Sequence, residues 1–522
     1  MTSDGDGRRY ALLFVLFLTA ITAFRLVYAA SCGLDLAPDE AYYWDWSRNL
    51  AWGYYSKPPM VAWLYRLVSE LGGSTTFGVR TAAALLMAGT MTGVFLLSKT
   101  LFDSRVGFWT VVAATLTPGV SAAASILTID APLLLFWAWT CLFCYLAVRA
   151  DSTGWWIVTG VTMGLGFLSK QVMLAFPPLL LCTLFLHPDY RKRLLSWRMY
   201  AAILIGFVML LPPILWNYHH DWVTFRHTAH HVEVSSKHLI RPNLFFEYLA
   251  AQAGVVTPII FVLLFYALWR LYRSGAIWRD FRLLYLSFLS FPALFGFQAL
   301  SLFSRVHPNW PAPFYLTAFI LGAAWALGAV DYREDWAAVR KKVLAASIIL
   351  GTIFTFFTYY PGALGALGFP LSRKTDPTVR VQGWSRLGEE VSGVAQVLEK
   401  QGKCKAGGCF IMSDKRQLVS ELAFYVPGQP VVLNWPRNPH VNSQYQLWGG
   451  FESRIGSNGI FITPKGRALP PDLKESFQKA EHIGEVERDS NRGVADVYDL
   501  YFCTHLIKPP RFSHPLAGAA PR

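Results

Sequence analysis

Apolar runs of about 20 residues recur along this chain from Tyr10 to Tyr360, and each can cross the ~30 Å hydrocarbon core of a bilayer as a helix. Spans are expected near 10–30, 79–101, 106–126, 131–149, 155–170, 171–187, 199–216, 247–269, 283–303, 310–330 and 343–361. With 53% of its 522 residues hydrophobic and only 15% charged, the chain does not suit a soluble protein. The expected class is a polytopic α-helical membrane protein with about eleven spans. A formal charge of +14 would otherwise suggest nucleic acid or acidic lipid, but much of it falls in short loops. With a cytoplasmic N-terminus, the clusters at 8–9, 99–105, 149, 191–198, 270–282 and 333–342 all face inward, as the positive-inside rule asks. The first run reads as an uncleaved anchor, because Tyr28 fills the small-residue position before a cut after Ala30.

Composition changes after Pro361. Trp384 to Lys400 and Gln417 to Tyr425 have helical periodicity, while Cys409–Met412, Val431–Leu433, Ile460–Ile462 and Val494–Phe502 are strand-like. The expected organisation is a membrane domain over 1–361, an α/β domain over 362–506, and a disordered tail over 507–522. An odd number of spans places the α/β domain outside the cytoplasm. Cys404 and Cys409 are spaced for a short disulfide, with Cys503 and Cys32 as other partners.

The first external loop, 31–78, is amphipathic and carries the densest chemistry. Asp39 and Glu40 follow Pro38, and Lys57 precedes two prolines that bias it toward an extended backbone. Tyr42, Tyr43, Trp44, Trp46, Trp52, Tyr54 and Tyr55 lie between, residue types that settle at a membrane–water boundary. Other polar residues fall on the same side. Asp130 lies at the external end of span four; at the centre of a span a carboxylate would cost about 3 kcal/mol, so it lines a cavity or its rim. Lys170 sits at the turn between spans five and six. The loop after span seven holds His219, His220, Asp221, His227, His230, His231 and Glu233, and the loop between spans nine and ten holds Arg305, His307 and Asn309. Singly, each has an ordinary structural explanation: Lys170 can snorkel, Asp130 can cap a helix, and histidine pairs are common in loops. His227, His230 and His231 have near-helical spacing for a metal but lack further ligands. Together these residues point to one external, membrane-level site.

The motifs Pro38-Asp-Glu-Ala-Tyr-Tyr-Trp44, Gly53-Tyr-Tyr-Ser-Lys-Pro-Pro59, Thr128-Ile-Asp-Ala-Pro132, Leu168-Ser-Lys170 and His307-Pro-Asn-Trp-Pro-Ala-Pro313 carry a family resemblance. So do Ser420–Tyr425 and Gln444–Trp448 in the outer domain. The chain resembles bacterial polyprenyl-phosphate-sugar glycosyltransferases of the GT-C fold, related to protein O-mannosyltransferases and lipid A aminoarabinose transferases. The resemblance implies sugar transfer, with inversion, from a polyprenyl-phosphate-sugar donor to a hydroxyl of a glycolipid, lipopolysaccharide or protein on the periplasmic face of the inner membrane.

On that reading Asp39 is the base and Glu40 its positioning neighbour or alternate. Lys57 and Arg305 contact the donor phosphate. Tyr55, Asp130, Lys170, His219, His307 and Asn309 bind sugar or acceptor. Some aminoarabinose transferases carry a metal-holding glutamate before the Lys-Pro; Ser56 stands there in this chain, so no metal or other cofactor is expected. The competing class is a transporter or flippase of lipid-linked sugars. Transporters place their sites near midplane between repeated halves, whereas here the polar groups gather at one face and no halves repeat.

Overall fold

A computed structural model describes residues 4–232, 240–330, 337–404 and 408–512, with backbone only at 4, 230–232 and 337. Glu233, Arg333, residues 513–522 of the tail, and the side chains of His230 and His231 lie outside the described residues. Six helices are long and apolar enough to cross a membrane: Gly5–Ser31, Thr76–Leu101, Asp130–Ala150, Trp197–His219, Phe281–Leu300 and Ala338–Tyr359. A seventh crossing is available if Pro242–Val256 and Pro258–Arg273, bent by 101°, make one broken span. The bend has a local cause: Pro258 lacks an amide donor, and Thr257 before it adopts φ +71°.

Each of the other expected stretches is also helical, but shorter or interrupted. The 106–126 stretch, for example, breaks after Thr115 and restarts at Pro118. Length alone thus supports six or seven crossings. The helices pack around buried Trp137, Trp156, Phe167, Phe176, Tyr285 and Phe314. Small residues allow close approach: a Cβ on Gly160 would meet the Ala202 carbonyl oxygen at 2.6 Å.

Helix α1 (Asp4–Ser31) is followed by α2 (Pro38–Ser47), α3 (Met60–Gly72) and α4 (Thr76–Leu101). Helix α2 starts where the sequence favours a start. Pro38 stands at its first turn, and the Glu40 carboxylate reaches back 2.9 Å to accept the Ala37 amide hydrogen.

The C-terminal domain holds a five-stranded sheet of order β2-β1-β3-β5-β4. Strands β1 (Phe410–Ser413), β2 (Val432–Asn434) and β3 (Gly459–Pro464) pair in parallel, whereas β5 (Gly493–Leu506) runs antiparallel to β3 and to β4 (Phe477–Ser490). Helices Trp384–Lys400 and Arg416–Tyr425 form where the periodicity places them. Strand β4 was not expected. It is polar on most of its length and has two register irregularities, so the ladder with β5 makes it a strand without an alternating apolar signal. Cys404 and Cys409 form the expected disulfide, leaving Cys503 buried and free and Cys32 unpaired.

The aromatic first loop departs from a membrane-boundary role. Tyr42, Tyr43, Trp44, Trp46 and Tyr54 are buried, and only Trp52 is exposed. They share one hydrophobic cluster with Leu418, Leu422, Phe424 and Tyr445 of the C-terminal domain. The Tyr425 hydroxyl accepts the Leu36 amide at 2.6 Å, and Asp35 caps the helix Trp384–Lys400 by accepting the Trp384 amide at 2.7 Å. The loop is therefore the seam between the two halves.

Candidate functional site

Beneath that seam lies a cavity of about 530 Å³. At its polar end it gathers Asp39, Tyr43, Lys57, Asp130, Lys170, His307 and Asn309; Met87, Met91, Leu134, Val256, Leu316 and Phe319 line the rest. Of the expected site residues, the structure thus brings together Asp39, Lys57, Asp130, Lys170, His307 and Asn309 from four separate stretches.

Asp39 and Glu40 are neighbours with opposite surroundings. Glu40 is fully buried and does not line the cavity. Its carboxylate accepts the amides of Ala37 and Leu127, both at 2.9 Å, and pairs with Arg80 at 3.1 Å. Arg80 in turn donates to the carbonyls of Asp35, at 2.8 Å, and Ser125. Every Glu40 oxygen is committed to holding α2 against α4 and the Ser125–Leu127 turn. Asp39, one residue earlier, keeps 58% of its side chain exposed at the cavity and accepts one hydrogen bond, from Arg416 Nη1 to Oδ1 at 2.9 Å.

Lys57 is positioned by Tyr54. That ring stacks on Trp46 at 4.5 Å, its hydroxyl contacts the Asn49 carbonyl at 3.1 Å, and its amide donates to the Lys57 carbonyl at 3.2 Å. The Lys57 ammonium has no partner among the described residues, although it lines the cavity. Burial lowers its pKa to about 8, Lys170 adds to the shift, and Asp130 and Asp39 oppose it. Across the cavity Asp130 sits at the N-terminus of its helix, where the dipole favours a carboxylate. Lys170 donates to its Oδ1 at 2.6 Å and Asn309 to its Oδ2 at 2.7 Å.

Besides Glu40, three expected site residues lie elsewhere. Arg305 is largely exposed and pairs with Glu247 at 3.0 Å, while His307 and Asn309, further along the same stretch, line the cavity. His219 ends a helix and lines a separate apolar pocket with Trp52 and Trp216. Tyr55 is buried in the seam, its amide bonded to Gln444 Oε1 at 2.6 Å and its hydroxyl to His227 Nδ1 at 3.1 Å. Among the described residues, ligand-like geometry for a metal occurs only at His482, Glu485 and Asp499, on the outer sheet and away from the cavity lining.

Sequence reasoning missed Arg416 and Arg80. Arg416 had a signal: a cation in the first turn of a helix opposes the helix dipole, so its placement there calls for another partner. That partner is Asp39, and the guanidinium also lies 4.7 Å over the Tyr42 ring.

The architecture, a bundle of apolar helices roofed by a small mixed-sheet domain, is that of the GT-C glycosyltransferases. It is similar to the crystal structure of ArnT from Cupriavidus metallidurans bound to undecaprenyl phosphate, with a TM-score of 0.58 and 16% identity over 93% of this chain and 97% of that one. An archaeal oligosaccharyltransferase from Archaeoglobus fulgidus gives a TM-score of 0.52 over 88% of this chain and 70% of that one, at 12% identity. Residues 56–216 match the family described as dolichyl-phosphate-mannose-protein mannosyltransferase. Over 483 residues the chain is 31% identical to the lipid A galacturonosyltransferase RgtD of Rhizobium johnstonii, covering 91% of this chain and 95% of that protein. A shorter match, 27% identical over 39% of this chain and 40% of the relative, is to undecaprenyl phosphate-alpha-4-amino-4-deoxy-L-arabinose arabinosyl transferase 1 of Pseudomonas fluorescens. The chain belongs to this family of polyprenyl-phosphate-sugar glycosyltransferases, and it is a membrane-embedded transferase.

Proposed function

We propose that the chain moves a sugar from a polyprenyl-phosphate donor to a hydroxyl of a lipid A or lipopolysaccharide glycolipid at the periplasmic face of the bacterial inner membrane. The likeness to RgtD favours a galacturonosyl group and a lipid A acceptor. One observation carries the reading. Asp39, an accessible carboxylate with an oxygen to spare, and Lys57, a cation without a partner among the described residues, share a cavity whose other walls are apolar enough for a lipid chain.

The acceptor oxygen attacks the anomeric carbon while Asp39 Oδ2 takes its proton, since an alcohol is a poor nucleophile at neutral pH. The bond from that carbon to the phosphate oxygen breaks on the opposite face, inverting the centre and releasing polyprenyl phosphate. A phosphate needs charge neutralisation more than protonation, and Lys57 supplies it. Arg416 leaves Oδ2 free while fixing the carboxylate, and Glu40 holds the helix that presents it. The Asp130–Lys170–Asn309 network and His307 form the sugar side of the cavity. With Ser56 before Lys57, the reading requires no metal ligand in the first loop, and transfer should persist in EDTA.

Residues 1–361 would form the catalytic membrane domain, 362–506 a periplasmic roof, and 507–522 a tail. The eleven helical stretches would each cross once, with the N-terminus cytoplasmic and the bent pair at Thr257 counted as one crossing.

The test is donor affinity and turnover in one nanodisc preparation, with mass-spectrometric detection of the glycosylated lipid. Asp39→Asn should lower turnover by a factor of about 10² to 10⁴ with donor affinity unchanged. Lys57→Ala should instead weaken donor binding. Normal turnover in Asp39→Asn would remove it as the base.

A further inference from the structure

The C-terminal domain carries a second cavity that this mechanism does not use, a cleft of about 590 Å³. That lies within the ~300–1,000 Å³ typical of sites that enclose a small ligand. Arg373, Arg380, Lys415, Lys465 and Arg488 line it against one carboxylate, Asp496. Asp496 is already taken up by Arg373, at 3.5 Å, and by Arg488. Arg488 is buried and belongs to the wall: it donates to the carbonyls of Val379 and Gln382, both at 2.7 Å, and lies 4.4 Å over the Trp384 ring. Lys465 pairs with Glu485, which does not line the cleft, at 2.7 Å. Arg380 and Lys415 make no ion pair among the described residues. Two uncompensated cations beside a buried guanidinium focus a positive potential into this space, a setting that suits phosphate or carboxylate.

Its position relative to Asp39 matters more than its charge. Pro38, Lys415 and Gln417 line the cleft, while their chain neighbours Asp39 and Arg416 pair at the edge of the membrane cavity. The Asp39–Arg416 pair therefore stands in the partition between the two spaces. A displacement with inversion needs nucleophile and leaving group on opposite faces of the reacting carbon. A molecule held in the cleft approaches Asp39 from the C-terminal domain, while a lipid phosphate beside Lys57 lies in the membrane cavity.

We propose that this cleft binds the anionic head group, phosphate or carboxylate, of the acceptor glycolipid. The proposal rests on the reading of Asp39 as the base and adds to it the side from which the acceptor enters. Gln417 and Lys415 hold the rim near the base, and Arg380 meets the acceptor further out.

The experiment uses the full chain in nanodiscs with lipid A as acceptor, either intact or after phosphatase treatment. Arg380→Glu and Lys415→Glu should each raise the acceptor KM by about tenfold, the size of one charge-assisted contact, with donor Kd and turnover at saturating acceptor unchanged. Phosphatase treatment should raise the KM of the wild-type enzyme by a similar factor and have little further effect on the double variant. Inorganic pyrophosphate should compete with acceptor and not with donor. Lys400→Glu, an exposed charge reversal outside the cleft, should change nothing. Retained donor binding shows that each variant is folded; Arg380→Gln and Lys415→Gln replace any variant that loses it. An unchanged acceptor KM in folded variants overturns the proposal, as does a weakened donor Kd with normal acceptor KM. Failure of the transferase reading would look different, with no product from the wild-type enzyme on either form of lipid A.

Discussion

Two ion pairs grip helix α2 from different regions of the molecule. On the membrane side Arg80 meets Glu40, with side chains 8% and 0% exposed, and every oxygen of the carboxylate is used. On the side of the C-terminal domain Arg416 meets Asp39, with side chains 30% and 58% exposed, and one oxygen is left over. Adjacent residues of the same chemical type thus differ in what they can do. A carboxylate whose hydrogen-bonding capacity is spent can only hold structure, whereas one with a spare oxygen facing a cavity can take a proton. Burial and partner count, rather than identity, separate scaffold from chemistry.

The largest effect should come from breaking the buried pair. Glu40→Gln leaves Arg80 without its counter-charge, and loss of one partner of such a pair typically costs about 3–5 kcal/mol. Thermal unfolding in detergent should show a large drop in Tm, whereas Asp39→Asn should leave Tm nearly unchanged. A normal Tm in Glu40→Gln would dissolve the contrast between the two regions.

Arg416→Ala should come next. Freeing the Asp39 carboxylate from its clamp should lower turnover by about tenfold to a hundredfold, the usual penalty for a misplaced reacting group. Donor Kd should not move, and Arg416→Lys should recover part of the loss. A change in donor Kd alone would make Arg416 a donor contact instead of a positioning residue.

A smaller effect concerns pH. Because burial lowers Lys57 to about 8, its ammonium is charged below that pH and is lost as pH rises through it. The donor's kcat/KM should therefore be flat near pH 6–7 and fall above about pH 8. In Lys57→Arg, whose charge persists, that fall should vanish.

The smallest concerns Glu421, buried beneath α2 with neither carboxylate oxygen paired among the described residues. Burial, with Asp35 and Glu40 nearby, raises its pKa well above the usual carboxylate range, which favours the protonated form in the fold. Its contribution to stability is full below the unfolded-state value of about 4.5 and declines as pH rises toward the folded value. Glu421→Gln should therefore raise Tm at pH 7, and the gain should shrink as the pH is lowered toward 4.5. An equal gain at both pH values would mean that Glu421 is ionised in the fold.

Much of the site is legible in the sequence. Lys57 before two prolines, Asp130 at a helix start, Lys170 at a turn, and His307 and Asn309 in a Pro-rich turn are polar residues beside apolar runs, where each costs stability unless it has a use. Arg305, His219 and Tyr55 show where that reasoning ends. They satisfy the same local rule, yet their side chains end at the surface, at an apolar pocket and in the domain seam.

The sequence by itself determined the apolar helical stretches, the shift to an α/β domain after Pro361, and the short segments that carry chemistry, because hydropathy, periodicity and proline act over neighbouring residues. Only the tertiary structure decided that Asp39 faces a cavity while Glu40 does not, that Arg416 reaches 377 positions along the chain to Asp39, and that polar β4 is a strand at all. Those outcomes depend on which surfaces meet across the seam, and contacts between distant segments leave no periodic trace in either one.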